Sequence, residues 1–240
     1  MRKLWIDTDT ASDDAVALLM ALREPRVQVL GISVVMGNVS LERAVRNALI
    51  SVERAGTYAP PVYAGASKPL YRDTDFAVVC HGVDGLSDRG YADPILKPET
   101  GNAVDAMLSC ARANPGQVEL VTLGPLTNVA IAAFKDPAAF RCFKSVTIMG
   151  GALRMPGNWS PVSEFNIIVD PEAAEAPEAA LQVFPDWEES AGYARAPLAW
   201  AVEQGLINGN VIGGRSWLKP LDQATRAQFV AMLQRFLESE

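Results

Sequence analysis

The chain has 240 residues, 49% of them hydrophobic and 20% charged, with a net charge of −7. That supports one large α/β domain, or one domain with a small appendage, around a sizeable core. The acidic balance and the lack of any basic run exclude a general nucleic-acid surface, and no apolar run nears the ~20 residues that span a membrane.

The N-terminus, MRKLWIDTDT, enters an acidic strand at once and leaves no room for a signal peptide, so a cytoplasmic location is expected. Leu4-Trp5-Ile6 leads into Asp7, Asp9, Asp13 and Asp14, and an amphipathic Ala/Leu-rich segment follows. The pattern predicts a strand, a tight acidic loop and a helix whose first turn carries Asp13 and Asp14. Like charges this close repel, so folding must neutralise them with a cation, protons or basic partners. Clustered carboxylate oxygens are hard donors and suit Ca²⁺ or Mg²⁺ rather than zinc. The helix dipole accounts for Asp13 and Asp14, at ~0.3–1 kcal/mol each. It leaves Asp7 and Asp9 unexplained at the end of a buried strand, where open α/β sheets bind their ligands.

Residues 27–35, VQVLGISVV, read as a buried parallel strand ending at Met36-Gly37-Asn38, with a helix from Ser40 to about Ala55. Asn38 thus lies at a second strand-to-helix junction, as a turn or cap residue or as an amide reaching a ligand. A short strand is expected over 60–65 and a loop-rich stretch over 68–96. That stretch holds the only histidine, His81, beside Gly82 and ahead of Asp84-Gly85, in a loop able to close over a site. A helix over 102–113, a core strand over 118–123, a helix over 129–134 and a strand over 143–149 follow. Residues 150–166 read as loop, and Asp170 caps a helix with Pro171 at its first position. Alternating strands and helices indicate an open, mostly parallel, doubly wound α/β sheet, its polar strand ends converging on one crevice.

Near Val183 the character changes. Phe184-Pro185-Asp186-Trp187 introduces two helical stretches, 191–204 and 225–238, separated by a Gly/Asn loop and without a further polar-ended strand. The expected division is residues 1–183, an α/β domain, and 184–240, a small α-helical appendage. Cys80, Cys110 and Cys142 are widely spaced and odd in number, and read as buried free thiols rather than a disulfide framework or zinc site.

The first three quarters of the chain resembles the inosine-uridine-preferring nucleoside hydrolases. The match rests on an ordered series of motifs. It begins with Asp7-Thr8-Asp9-Thr10-Ala11-Ser12-Asp13-Asp14, where the family more usually has Pro-Gly at Thr10-Ala11. Gly37-Asn38-Val39-Ser40 through Arg46-Asn47-Ala48, His81-Gly82, Gly85-Leu86 and Gly124-Pro125-Leu126-Thr127-Asn128 come next. Ile148-Met149-Gly150-Gly151, Pro156-Gly157-Asn158, Glu164-Phe165-Asn166 and Val169-Asp170-Pro171-Glu172-Ala173-Ala174 complete it.

The resemblance implies hydrolysis of ribonucleosides to ribose and free base around a Ca²⁺ ion, in purine or pyrimidine salvage. Asp9 would ligate calcium and act as general base toward water, Asp14 would ligate calcium, and the Leu123 carbonyl would add an oxygen. Asp13, Asn158, Glu164 and Asn166 would hold the ribose hydroxyls, with Asn38 near the water or ribose and His81 over the substrate. Asp7 would orient the acidic loop from behind. The partner implied is a small ribonucleoside, with no nucleic acid or membrane, and a homo-oligomer is left open.

The pattern breaks after Val183, where the family supplies one more calcium-binding aspartate, usually beside a histidine. Asp186 and Asp222 stand in the wrong context. Loss of one carboxylate predicts weak calcium binding and reduced or absent activity. Residues 184–240, with Phe184-Pro185-Asp186-Trp187, Ala199-Trp200-Ala201-Val202 and Ala224-Thr225-Arg226-Ala227-Gln228, instead resemble a surface-layer homology module, which would argue for the cell surface, with Arg226 facing a cell-wall polysaccharide; the plain alternative is a helical hairpin covering an exposed sheet face. Haloacid-dehalogenase-like phosphatases also begin with a strand and Asp-x-Asp-x-Thr, but here Thr10 follows Asp9 directly. The remaining alternative is a non-catalytic ribose- or wall-binding protein built on a hydrolase scaffold.

Overall fold

The computed structural model describes residues 1–73, 78–152, 156–174, 185–189, 202, 207, 209–213 and 215–218. The chain forms two compact units, Met1–Ala174 and Glu175–Glu240.

In the first unit, β1 (Arg2–Thr8) runs into α1 (Ser12–Arg23), β2 (Val27–Val34), α2 (Leu41–Ala55) and β3 (Val62–Ala64). A one-turn helix, α3 (Val78–His81), precedes α4 (Ala103–Ala113), β4 (Val118–Thr122), α5 (Thr127–Lys135) and α6 (Pro137–Phe140). Then come β5 (Ser145–Ile148), α7 (Phe165–Val169) and α8 (Pro171–Ala174). The five strands are all parallel, in the order β3-β2-β1-β4-β5. This is the doubly wound sheet that the alternation of elements predicts.

Alternation along β1 explains how the sheet is covered. Leu4 and Ile6 join Leu18, Leu22, Ala48 and Val52 from α1 and α2 in one core. Trp5 faces the other way and packs with Met107, Leu108 and Leu120 beneath α4 and α5. Both cores are built of buried apolar residues, as a parallel sheet covered on two faces requires. At the outer edge, β5 has all four residues exposed, Val146 and Ile148 among them.

The strand order places the functional end of the sheet. The chain winds outward from β1 through β2 to β3, then crosses back to β4 and continues to β5. The reversal lies between β1 and β4, and the loops leaving their carboxyl ends diverge there to leave a crevice. Asp9 follows one strand and Leu123-Gly124 the other.

Three local expectations are corrected. Residues 165 and 166, expected as loop, begin helix α7, because Glu164 caps it by accepting from the backbone N–H groups of Asn166 (3.1 Å) and Ile167 (3.3 Å). The cysteines are free, but Cys80 is exposed and Cys110 and Cys142 are only partly covered. The appendage contains strands: β6 (Asn210–Ile212) pairs antiparallel with β7 (Arg215–Trp217). Ile212 lies opposite Arg215, and Gly213 turns the chain after β6 with φ +60°; Gly-Gly between two short runs is a strong hairpin signal in the sequence. In the same unit Asp186 accepts from the Leu218 N–H at 2.8 Å. Arg226 and the helices expected over 225–238 and, except for Val202, over 191–204 lie outside the described residues.

Candidate active site

Asp9 leaves the end of β1 with its side chain fully buried. One carboxylate oxygen, Oδ2, accepts the backbone N–H of Asn38 at 2.6 Å. The other, Oδ1, has no hydrogen-bond partner although it is shielded from solvent. Gly37 and Gly124 make this closure possible: a Cβ at Gly37 would lie 2.1 Å from Asp9 Oδ2, and one at Gly124 would lie 2.9 Å from both Asp9 N and Oδ1. The loops after β2 and β4 thus pass against the same carboxylate.

Asp14 occupies the first turn of α1, is 6% exposed, and accepts from the Thr8 hydroxyl at 3.0 Å. Burial raises both acids, Asp9 to about 6 and Asp14 well above the ordinary carboxylate range. The charge on Asp9 lifts Asp14 further, and the charge on Asp13 adds to the rise on both. Behind them Asp7 is fully buried and raised to about 7, chiefly by burial, although hydrogen bonds from Ser33 Oγ and Asn128 Nδ2 oppose the shift.

The remaining candidates fall into two groups. Asn166 joins the ends of β4 and β5, donating from Nδ2 to the carbonyls of Leu123 (2.7 Å) and Met149 (3.1 Å). A carbonyl has a second lone pair, so Leu123 keeps acceptor capacity. Glu164 is buried, with Oε2 also accepting from the Gly151 N–H at 3.1 Å. Asn158 is exposed and holds the start of α7 by accepting from Phe165 N–H at 2.8 Å. On the opposite rim, Asp13 is exposed and its Oδ1 lies 3.8 Å from His81 Nδ1. His81 ends α3, and its Nδ1 lies 2.8 Å from Ser12 Oγ, so the ring is tied to the start of α1 rather than carried on a free loop.

The structure therefore brings Asp9, Asp14, Asn38 and Leu123 to the β1/β4 reversal. Asn158, Glu164 and Asn166 stand on the β5 side, and Asp13 and His81 on the α1 side. Sequence reasoning assigned no role to Thr8, Ser33 or Asn128, three polar residues buried around Asp7, Asp9 and Asp14. Their available signal was slight: Ser33 is a hydroxyl inside an apolar run, and Thr8 and Asn128 stand at a strand end and after a Gly-Pro turn, where polar residues are common.

The donor set suits a hard cation: two buried carboxylates, one with an unpartnered oxygen, and a carbonyl with spare capacity. Among the described residues, no three His, Cys, Asp or Glu side chains gather as a fuller metal shell.

The pattern of the inosine-uridine preferring nucleoside hydrolase family matches residues 4–188. The chain belongs to this family. It is 41% identical over 177 residues to the probable uridine nucleosidase 1 of Oryza sativa subsp. japonica, covering 72% of this chain and 54% of that protein. It is also 41% identical over 169 residues to the pyrimidine-specific ribonucleoside hydrolase RihA of Citrobacter koseri, covering 70% and 54%. Among solved structures, a plant nucleoside hydrolase superposes with TM-score 0.70 at 31% identity, covering 84% of this chain and 70% of that one. A purine-preferring ribonucleoside hydrolase from Gardnerella vaginalis gives TM-score 0.70 at 27% identity, covering 96% and 80%. The chain spans about half the length of the curated relatives it matches.

Proposed function

We propose that the crevice between β1 and β4 hydrolyses the N-glycosidic bond of ribonucleosides, with Ca²⁺ held by Asp9, Asp14 and the Leu123 carbonyl. The observation that carries this reading is the division of labour within Asp9. Its Oδ2 is fixed by the Asn38 N–H, while its buried Oδ1 is left without a partner. A carboxylate held by one oxygen presents the other in a defined direction, as a general base requires.

In the reaction the C1′–N bond breaks and its electron pair leaves with the base. The oxygen of a water molecule bonds to C1′, Asp9 Oδ1 takes a proton from that water and later returns it to solvent, and the departing base takes up a proton from solvent. Positive charge develops on the ribosyl ring as the bond breaks, and the carboxylates of Asp9, Asp13 and Asp14 stabilise it. When bound, the cation supplies charge compensation and lowers the pKa of water. Asp13, Asn158, Glu164 and Asn166 bind ribose hydroxyls, Asn38 lies at the water, and His81 borders the base.

Calcium affinity follows the number and charge of the ligands. With two carboxylates at the site among the described residues, it is expected to bind Ca²⁺ weakly and to turn over slowly. The same shortage of carboxylates supports a second reading, a ribose- or wall-polymer-binding protein. In it, residues 184–240 serve as a surface-layer-homology-like module with Arg226 facing the polymer.

Ribose release from uridine and inosine, measured in EDTA and then with Ca²⁺, separates these readings. The hydrolase reading expects release only with Ca²⁺, saturating at roughly 0.1–1 mM as weak sites do, at rates below ~1 s⁻¹. Equal release in EDTA would overturn the calcium assignment, and turnover at ordinary enzyme rates would overturn the impaired site. Ca²⁺-dependent binding of a ribosyl transition-state mimic without release would favour the binding protein.

A further inference from the structure

Asn128 is completely buried at the start of α5, yet it has no place in the chemistry above. Its amide meets three separate parts of the fold. Nδ2 donates to Asp7 Oδ1 at 2.9 Å and to the Val34 carbonyl at 3.2 Å, and Oδ1 accepts from the Ala66 N–H at 2.9 Å. The fit is close, since a Cβ at Gly65 would lie 2.3 Å from Asn128 Oδ1 and 2.5 Å from Nδ2.

These bonds continue toward the general base. The Ala66 carbonyl accepts from the Met36 N–H at 3.0 Å, and the Val34 carbonyl also accepts from the Gly65 N–H at 2.8 Å. Met36 leads through Gly37 to Asn38, whose N–H fixes Asp9 Oδ2 at 2.6 Å. Asn128 thus braces the turn after β3, that turn holds residue 36, and two residues later the chain grips Asp9. Gly37 leaves this segment no slack, because it already packs against the carboxylate.

We infer that Asn128 is a positioning residue that sets the orientation of the Asp9 carboxylate through the relay Ala66, Met36 and Asn38. The inference rests on the hydrolase reading for its catalytic consequence but not for its structural one. Both amide ends are needed: the acceptor for Ala66, and the donor for Asp7 and Val34. A buried group losing such partners leaves others unsatisfied, and the adjoining backbone must move to recover them.

The test compares Asn128→Ala and Asn128→Asp with Leu108→Ala, a buried change on α4 that lowers global stability away from the relay. Amide hydrogen exchange of residues 36–38 is the first readout. The expected result is exchange at least tenfold faster in Asn128→Ala than in Leu108→Ala at matched loss of Tm. Asn128→Asp, which keeps the acceptor for Ala66, should fall between wild type and Asn128→Ala and also covers the case in which Asn128→Ala does not fold. Equal exchange in the Asn128 variants and Leu108→Ala overturns the inference. The second readout is ribose release, where kcat should drop at least tenfold in Asn128→Ala while KM changes less than threefold. Loss confined to KM overturns the positioning role. A wild type without ribose release removes the hydrolase reading, while the exchange comparison still decides whether Asn128 holds the Asn38 segment.

Discussion

The two ends of the same pair of strands treat carboxylates in opposite ways. Near the amino end of the sheet, Glu119 on β4 accepts from Arg2 at the start of β1 and from Lys144 at 2.9 Å ahead of β5. Hydrogen bonds from Arg2 and Lys144 bring its pKa down to about 2. At the carboxyl end, burial raises Asp7 to about 7 and Asp9 to about 6, and no basic side chain forms an ion pair with Asp7, Asp9 or Asp14 among the described residues. One end is neutralised within the chain. At the other, no basic side chain among the described residues meets the carboxylates, which leaves protons or a bound cation to neutralise them. A parallel sheet exposes its strand ends to loops at both edges, so the difference lies in the residues placed there and not in the architecture.

Removing the charge on Asp9 breaks this contrast most sharply. Asp9→Asn keeps an acceptor for the Asn38 N–H but loses the base, and ribose release should fall by about 10²–10⁴-fold, the range that general-base catalysis contributes. The same substitution should raise the Tm of the EDTA-treated protein, since it deletes a buried charge; a lower Tm without catalytic loss would contradict the assignment.

The pH dependence of stability should also have opposite signs at the two ends. Asp7 and Asp9 hold protons more tightly in the folded state than the usual carboxylate. As pH rises from about 4 to about 7 the unfolded chain releases those protons first, so folding stability falls across this window by on the order of several kcal/mol. Urea unfolding in EDTA at successive pH values measures this, and added Ca²⁺ should flatten the decline by favouring the ionised carboxylates. Glu119 works the other way: its contribution is present above the ordinary glutamate range and is lost as pH falls toward about 2. Because Arg2 and Lys144 are exposed, Glu119→Gln should lower Tm only slightly and leave ribose release unchanged, as kinetics and a melting curve can check.

Much of this arrangement was legible in the sequence. The acidic loop after β1, the helix carrying Asp13 and Asp14, the parallel sheet and the capping of α8 all follow from local pattern, because each depends on residues close in the chain. Asp170 shows where that ends. It was expected to cap α8 and does accept from Ala173 N–H at 3.2 Å, but it also holds Leu70 N–H at 3.1 Å and Thr127 Oγ1 at 2.5 Å. Those partners are distant in sequence, and only the fold assembles them. Ser33 is similar: within VQVLGISVV its hydroxyl resembles an incidental strand residue, yet it accepts from Trp5 Nε1 at 2.9 Å and donates to Asp7. Helix α7 escaped because glutamate is a less common cap than Ser, Thr, Asp or Asn. The β6–β7 hairpin was signalled by Gly213-Gly214 but masked by the Gly/Asn-rich stretch before it.

The central claim, that Asp9 and Asp14 form an anionic site completed by a cation from outside the chain, is tested most directly by melting. Tm should be recorded with and without millimolar Ca²⁺, at pH above 7, for wild type and for Asp14→Asn. A ligand that binds only the folded state raises Tm with concentration. Wild type should show a Ca²⁺-dependent rise that largely disappears in Asp14→Asn; no rise in wild type, or an equal rise in both, would contradict a cation held by Asp9 and Asp14.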